Sequence, residues 1–83
     1  MTQTFGTTSL EISKEDMRKN PKLPVIRLYD EGELIGIFSL KTLEATYDNG
    51  MADYDVRFAK KEIGRNQDNW LETWRDYVGI LNA

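Results

Sequence analysis

Asp48, Asp53 and Asp55 form the one carboxylate constellation in this chain whose spacing suggests chemistry. Read as a strand, residues 53–55 place the first and last carboxylates on one face, with Asp48 closing the element before it. Hard cations such as magnesium or calcium take oxygen ligands of this kind. The spacing, however, does not match an EF-hand loop, and the distal glutamate that loop requires is missing. The reading adopted is a helix stop followed by a solvated strand face, so no metal site is expected.

Other chemistry is excluded by residue type. The sequence contains no histidine and no cysteine. It therefore lacks a thiolate nucleophile, the usual general base near neutral pH, and the nitrogen and sulfur ligands that structural zinc prefers. No glycine-rich phosphate loop, nucleotide fingerprint or nucleophile elbow is present. An enzyme built from this chain would run on carboxylates, lysines and tyrosines alone. No catalytic residue and no cofactor is expected.

Charged and aromatic groups remain as binding candidates. Lys14, Arg18, Lys19 and Lys22 form one basic stretch, and Lys60, Lys61 and Arg65 a second. Both read as the wet faces of short elements. Asp30, Glu31 and Glu33 cluster at a turn, where an acidic knob can meet a basic partner. Trp70 and Trp74 share an apolar stripe: Trp74, at its centre, reads as core, and Trp70 is open between core and interface.

The elements that must position these groups follow from periodicity and punctuation. Thr7 to Ile12 alternates as a short strand. Ser13 then caps a two-turn helix over Lys14 to Lys19, with Ile12 and Met17 at staple positions, and Pro21 ends it. Pro24 to Tyr29 and Leu34 to Phe38 flank Asp30-Glu31-Gly32-Glu33, the clearest hairpin signal in the chain. Ser39 is expected to cap a helix carrying Leu40, Leu43 and Tyr47, stopped by Asp48-Asn49-Gly50. Tyr54, Val56 and Phe58 alternate as a strand, and Lys60 to Asn66 reads as a polar connection. Trp70, Leu71, Trp74, Tyr77, Val78 and Leu81 form one broad stripe on a final helix. The expected class is α+β in the order β-α-β-β-α-β-α: an antiparallel sheet of three to four strands with helices packed on one face. Its first six elements follow ferredoxin-like order, with a first helix short for such a crossover.

Composition bounds the class of partner. The 83 residues make one domain, and Leu, Ile, Val and Phe contribute 20 of them, enough for the chain to collapse around a core. Fourteen acids against 11 bases give a net charge of −3, which argues against a sequence-blind nucleic-acid binder. The longest apolar run, Leu34 to Phe38, is far too short to span a membrane. Met1 to Phe5 has neither the basic nor the apolar region of a signal peptide. With no disulfide available, a cytoplasmic location is expected.

The run from Arg27 through Asp30-Glu31-Gly32-Glu33 and Leu34-Ile35-Gly36-Ile37 to Ser39-Leu40 resembles the hairpin-to-helix segment of the N-terminal domain of bacterial translation initiation factor 3. An Arg-Leu strand, a Gly-Glu turn, a Leu-Gly-Ile strand and a Ser-Leu helix start follow one another in both. The chain lacks that family's basic linker helix and has two further elements around the match. The resemblance implies a ribosome- or RNA-associated accessory domain, which stands as the alternative.

The reading favoured is a non-catalytic protein-binding module, a small inhibitor or modulator of a larger protein or complex. In size, mild acidity and lack of Cys and His the chain is similar to the small proteins with which bacteriophages inhibit or redirect host machinery, anti-CRISPR inhibitors among them. The expected contacts are Tyr29, Asp30, Glu31 and Glu33 at the hairpin tip, with Trp70, Arg75 and Asp76 on the last helix. Oligomeric state is left open.

Overall fold

A computed structural model of the chain describes residues 2–81. Five strands, β1 (Thr2–Phe5), β2 (Thr8–Glu11), β3 (Val25–Asp30), β4 (Glu33–Ser39) and β5 (Ala45–Asp48), form one antiparallel sheet in the spatial order of the sequence. The helices are α1 (Lys14–Lys19), between β2 and β3, and then α2 (Asp53–Arg65) and α3 (Gln67–Leu81). The α+β class and the antiparallel sheet stand. The strand count is five rather than three to four, and the ferredoxin-like order gives way to a meander in which every strand pairs with its sequence neighbour. The chain returns from α1 to pair β3 antiparallel beside β2, so α1 is an excursion and not a crossover.

The core lies on one side of this sheet. Leu10 stands opposite Leu28, and Ile26 opposite Phe38, and all four are fully buried. Ile12 and Leu40, Met17 of α1, Ala59 and Ile63 of α2, and Trp70 and Trp74 of α3 complete the cluster. Phe5 meets Phe58 edge-on, with ring centroids 5.1 Å apart, which ties the edge strand β1 to α2. Burying a side chain of this size contributes about 1.5–3 kcal/mol. The alternate residues of β3, Arg27 and Tyr29, point the other way and are half-buried.

α1 is too short to persist by propensity alone, and two contacts hold it. Met17 is 1% exposed in the core. On the far side of the sheet, Arg27 donates from Nε to Asp16 Oδ2 at 2.8 Å and from Nη2 to Asp16 Oδ1 at 2.9 Å. This fork fixes both position and angle. Its hydrogen bonds to Asp16, then one to Tyr29, raise the guanidinium above its ordinary pKa, with burial opposing.

Three sequence expectations change here. Ser39 does not start a helix: it ends β4, and its Oγ accepts from the backbone N–H of Lys41 and Thr42, both at 3.2 Å. Leu43 N then donates to Ser39 O, but Leu43 takes φ +65°, so this single turn cannot propagate and the chain returns as β5. The hairpin therefore leads to another strand, and the helix start in the initiation-factor resemblance is not present. Residues 54–58, expected as a strand, and 60–66, expected as a connection, are almost entirely α2. The helical set Val56, Ala59 and Ile63 faces the core, while Tyr54 is 68% exposed. Finally, β1 was not expected: it pairs with β2 through the Gly6-Thr7 turn, and its Thr-Gln-Thr-Phe sequence is too polar and short to announce a strand.

Candidate partner-binding surfaces

The aspartate trio serves the backbone. Asp48 Oδ1 accepts from Met51 N at 2.8 Å, and Asp55 Oδ2 accepts from Ala52 N at 2.9 Å. Together they turn the chain from β5 into α2. Asp55 supplies the returning half of a capping box, whereas Ala52 has no side-chain acceptor for the other half. Asp53 lies in the first turn of α2, where a negative charge suits the free N–H groups. Among the described residues, no three acidic side chains are grouped so as to hold a metal ion.

The hairpin tip is tightly built. Glu31 and Gly32 are its two loop residues, with φ +51° and +82°. Two successive positive φ values are what a type I′ turn requires, and glycine meets that demand without steric cost. Glu31 N donates to Thr7 O at 2.8 Å, and Thr7 Oγ1 donates to Asp30 Oδ1 at 3.1 Å. On the other flank Asn49 donates from N to Ile35 O at 2.8 Å and from Nδ2 to Leu34 O at 3.1 Å. Three turns, at residues 6–7, 31–32 and 49–50, are thereby stitched side by side at one end of the sheet.

This brings distant acids together. Asp30, Glu31, Glu33, Asp48, Asp53 and Asp55 all belong to these turns or their flanks. No lysine or arginine occurs in residues 28–40 or 42–56. Beyond those six acids the chain carries 11 cationic side chains against eight carboxylates. The molecule is therefore polarised well beyond what its net charge of −3 suggests. Asp48, Asp53 and Asp55 are not among the expected contacts, because only the β4–β5 register and the bonds from Asn49 to β4 bring them to the tip. Tyr29 sits behind this end, half-buried, its hydroxyl accepting from Arg27 Nη1 at 3.4 Å.

The candidates on the last helix do not join that surface. Trp70 is 0% exposed and lies in the core, so it is removed from the list of contacts. Its Nε1 is buried without a hydrogen-bond partner. Trp74 is core as expected, 2% exposed, and its Nε1 donates to Pro21 O at 2.9 Å. Arg75 and Asp76 are both exposed but serve different places. Arg75 lines a groove against the loop between α1 and β3, whereas Asp76 borders a shallow hollow with Tyr77 and Ile80. Of the two basic stretches, Lys19, Lys60 and Arg65 pair with Glu15, Glu44 and Glu62 at 3.0, 3.6 and 3.3 Å. The exposed pairs Lys19–Glu15 and Lys60–Glu44 contribute little to stability.

No helix among the described residues is long and apolar enough to cross a membrane. Comparison with protein families, curated proteins and solved structures finds no match to this chain.

Proposed function

We propose that the chain is a non-catalytic protein-binding module that sets its acidic end against a basic surface of a larger partner, inhibiting or modulating it. The observation that carries this reading is the stitching of three turns into one end bearing six carboxylates, all six from the segments 28–40 and 42–56, which contain no lysine or arginine. Backbone hydrogen bonds hold the turns, so little ordering is needed on binding. Opposed charge also steers encounter and raises the association rate.

The test begins with identification of the partner by affinity capture from the native host, followed by binding kinetics on the purified pair. Asp30→Ala, Glu31→Ala and Glu33→Ala together remove one side-chain stitch, Thr7 Oγ1 to Asp30 Oδ1, but leave the backbone bond from Glu31 N to Thr7 O and the glycine that the turn needs. This triple variant should fold normally, associate roughly tenfold more slowly at low salt, and lose most of its salt dependence. An unchanged association rate would refute the reading.

A second reading, an RNA- or ribosome-associated domain, draws on Lys14, Arg18 and Lys22, which have no ion-pair partner among the described residues. It requires RNA affinity that falls steeply with salt. That affinity should be weakened by reversing these three charges and left unharmed by the triple alanine variant.

A further inference from the structure

At the end of the sheet opposite the acidic turns lies a groove of about 660 Å³ between α3 and two loops. Its floor is apolar: Pro21, Pro24, Leu71 and Trp74. Lys22 and Lys41 stand on the loop side, and Asp68, Glu72 and Arg75 on α3. The walls are fastened to one another. Trp74 Nε1 holds Pro21 O, and Gln67 Nε2 donates to the carbonyls of Leu40 at 2.8 Å and Lys41 at 3.2 Å. Leu40 N in turn donates to Pro24 O at 2.9 Å. The groove is thus preformed, and its size falls in the range of ligand sites, roughly 300–1,000 Å³.

Charge decides what fits. Lys22, Lys41 and Arg75 have no ion-pair partner among the described residues, and all three are exposed. Of the two carboxylates, Asp68 lies in the first turn of α3, where the helix N-terminus offsets its charge. The surplus facing an incoming ligand is therefore cationic, above a floor that prefers an apolar group.

We infer that this groove is a second binding site, for a linear acidic peptide segment carrying a large apolar side chain. The apolar side chain lies chiefly on Leu71 and Pro21, the open part of a floor backed by the buried Trp74 and Pro24, and flanking carboxylates meet Lys22, Lys41 and Arg75. The site does not depend on the acidic end, and the two can fail separately.

The probe is a fluorescein-labelled, acetylated and amidated peptide of alternating Glu and Leu with one central Phe, titrated against the full chain by anisotropy. Two further probes replace every Glu with Gln or with Lys. The acidic probe should bind saturably, and the double variant Lys22→Glu/Lys41→Glu should weaken it at least tenfold. These positions are exposed, so circular dichroism should show an unchanged fold. The triple alanine variant at the hairpin tip should bind the probe like the parent protein. The inference is overturned by absence of saturable binding, by equal or tighter binding of the Gln or Lys probe, or by an acidic probe indifferent to the Lys22 and Lys41 reversals.

Discussion

Replacing Trp74 with alanine removes a side chain that is 2% exposed and donates a hydrogen bond to Pro21 O across 53 residues of sequence. Two effects add. Deleting a large buried aromatic costs about 3–5 kcal/mol, including the cavity left behind. The lost hydrogen bond contributes about 0.5–1.5 kcal/mol, at the low end here because Pro21 is exposed and its carbonyl can turn to water. A domain of this length has roughly 4–12 kcal/mol of stability in total. Trp74→Ala should therefore leave the protein marginal, whereas Trp74→Phe, which keeps most of the packing, should cost about 1–2 kcal/mol. Urea unfolding followed by far-UV circular dichroism is the assay, because the substitution alters tryptophan fluorescence. With an m-value of about 1–1.5 kcal/mol/M, the alanine midpoint should fall by about 2–5 M, or the variant should be unfolded without urea. A midpoint within about 0.5 M of the parent would show that Trp74 is not part of the core, and the packing of α3 on the sheet would be wrong.

Gly36 lies beneath Met51: a Cβ there would stand 2.6 Å from Met51 Cε and closer still to Sδ. Gly36→Ala should cost about 1–3 kcal/mol, and Gly36→Ala/Met51→Ala should recover part of that loss in the same urea assay. The Asp16–Arg27 fork, with side chains 15% and 20% exposed, should show a coupling of about 1–2 kcal/mol in a double-mutant cycle with Asp16→Ala and Arg27→Met. Because the Arg27 pKa is raised, its contribution is complete at every pH below the guanidinium's unfolded value and is lost only as pH rises through the folded one, so it adds no pH dependence near neutrality. Millimolar magnesium or calcium should leave the melting temperature unchanged, since Asp48 and Asp55 are engaged by backbone N–H groups. A saturable stabilisation abolished by Asp53→Ala would contradict this.

The misread segments share a cause: one local signal serving two structures. A serine oxygen accepting from N–H groups two and three residues ahead caps a helix, but Ser39 uses the same geometry to cap a turn. Which one forms depends on β4, whose edge is paired by β5. Tyr54, Val56 and Phe58 alternate as a strand would, yet Val56, Ala59 and Ile63 carry the helical spacing that packs. Only the burial of one set and the exposure of Tyr54 separates the two. Trp70 was ambiguous because a narrow sheet leaves part of a wide stripe uncovered, and with a fifth strand the core takes both tryptophans.

What the sequence determined by itself is local in origin. Pro21 stops α1, Glu31-Gly32 sets the hairpin turn, and the six-membered stripe commits residues 67–81 to a helix. Each rests on backbone sterics or on periodicity within one element. The absence of histidine and cysteine limits the available chemistry in the same direct way, without reference to a fold. The two surfaces are different in kind. The acidic end exists because hydrogen bonds from Thr7, Glu31 and Asn49 align three turns far apart in sequence. The groove exists because Gln67 reaches the carbonyls of Leu40 and Lys41, and Trp74 reaches Pro21. Such bonds join residues with no pattern between them, and they form only once the sheet and α3 share a core. Tertiary structure therefore decided which charges distant in sequence meet.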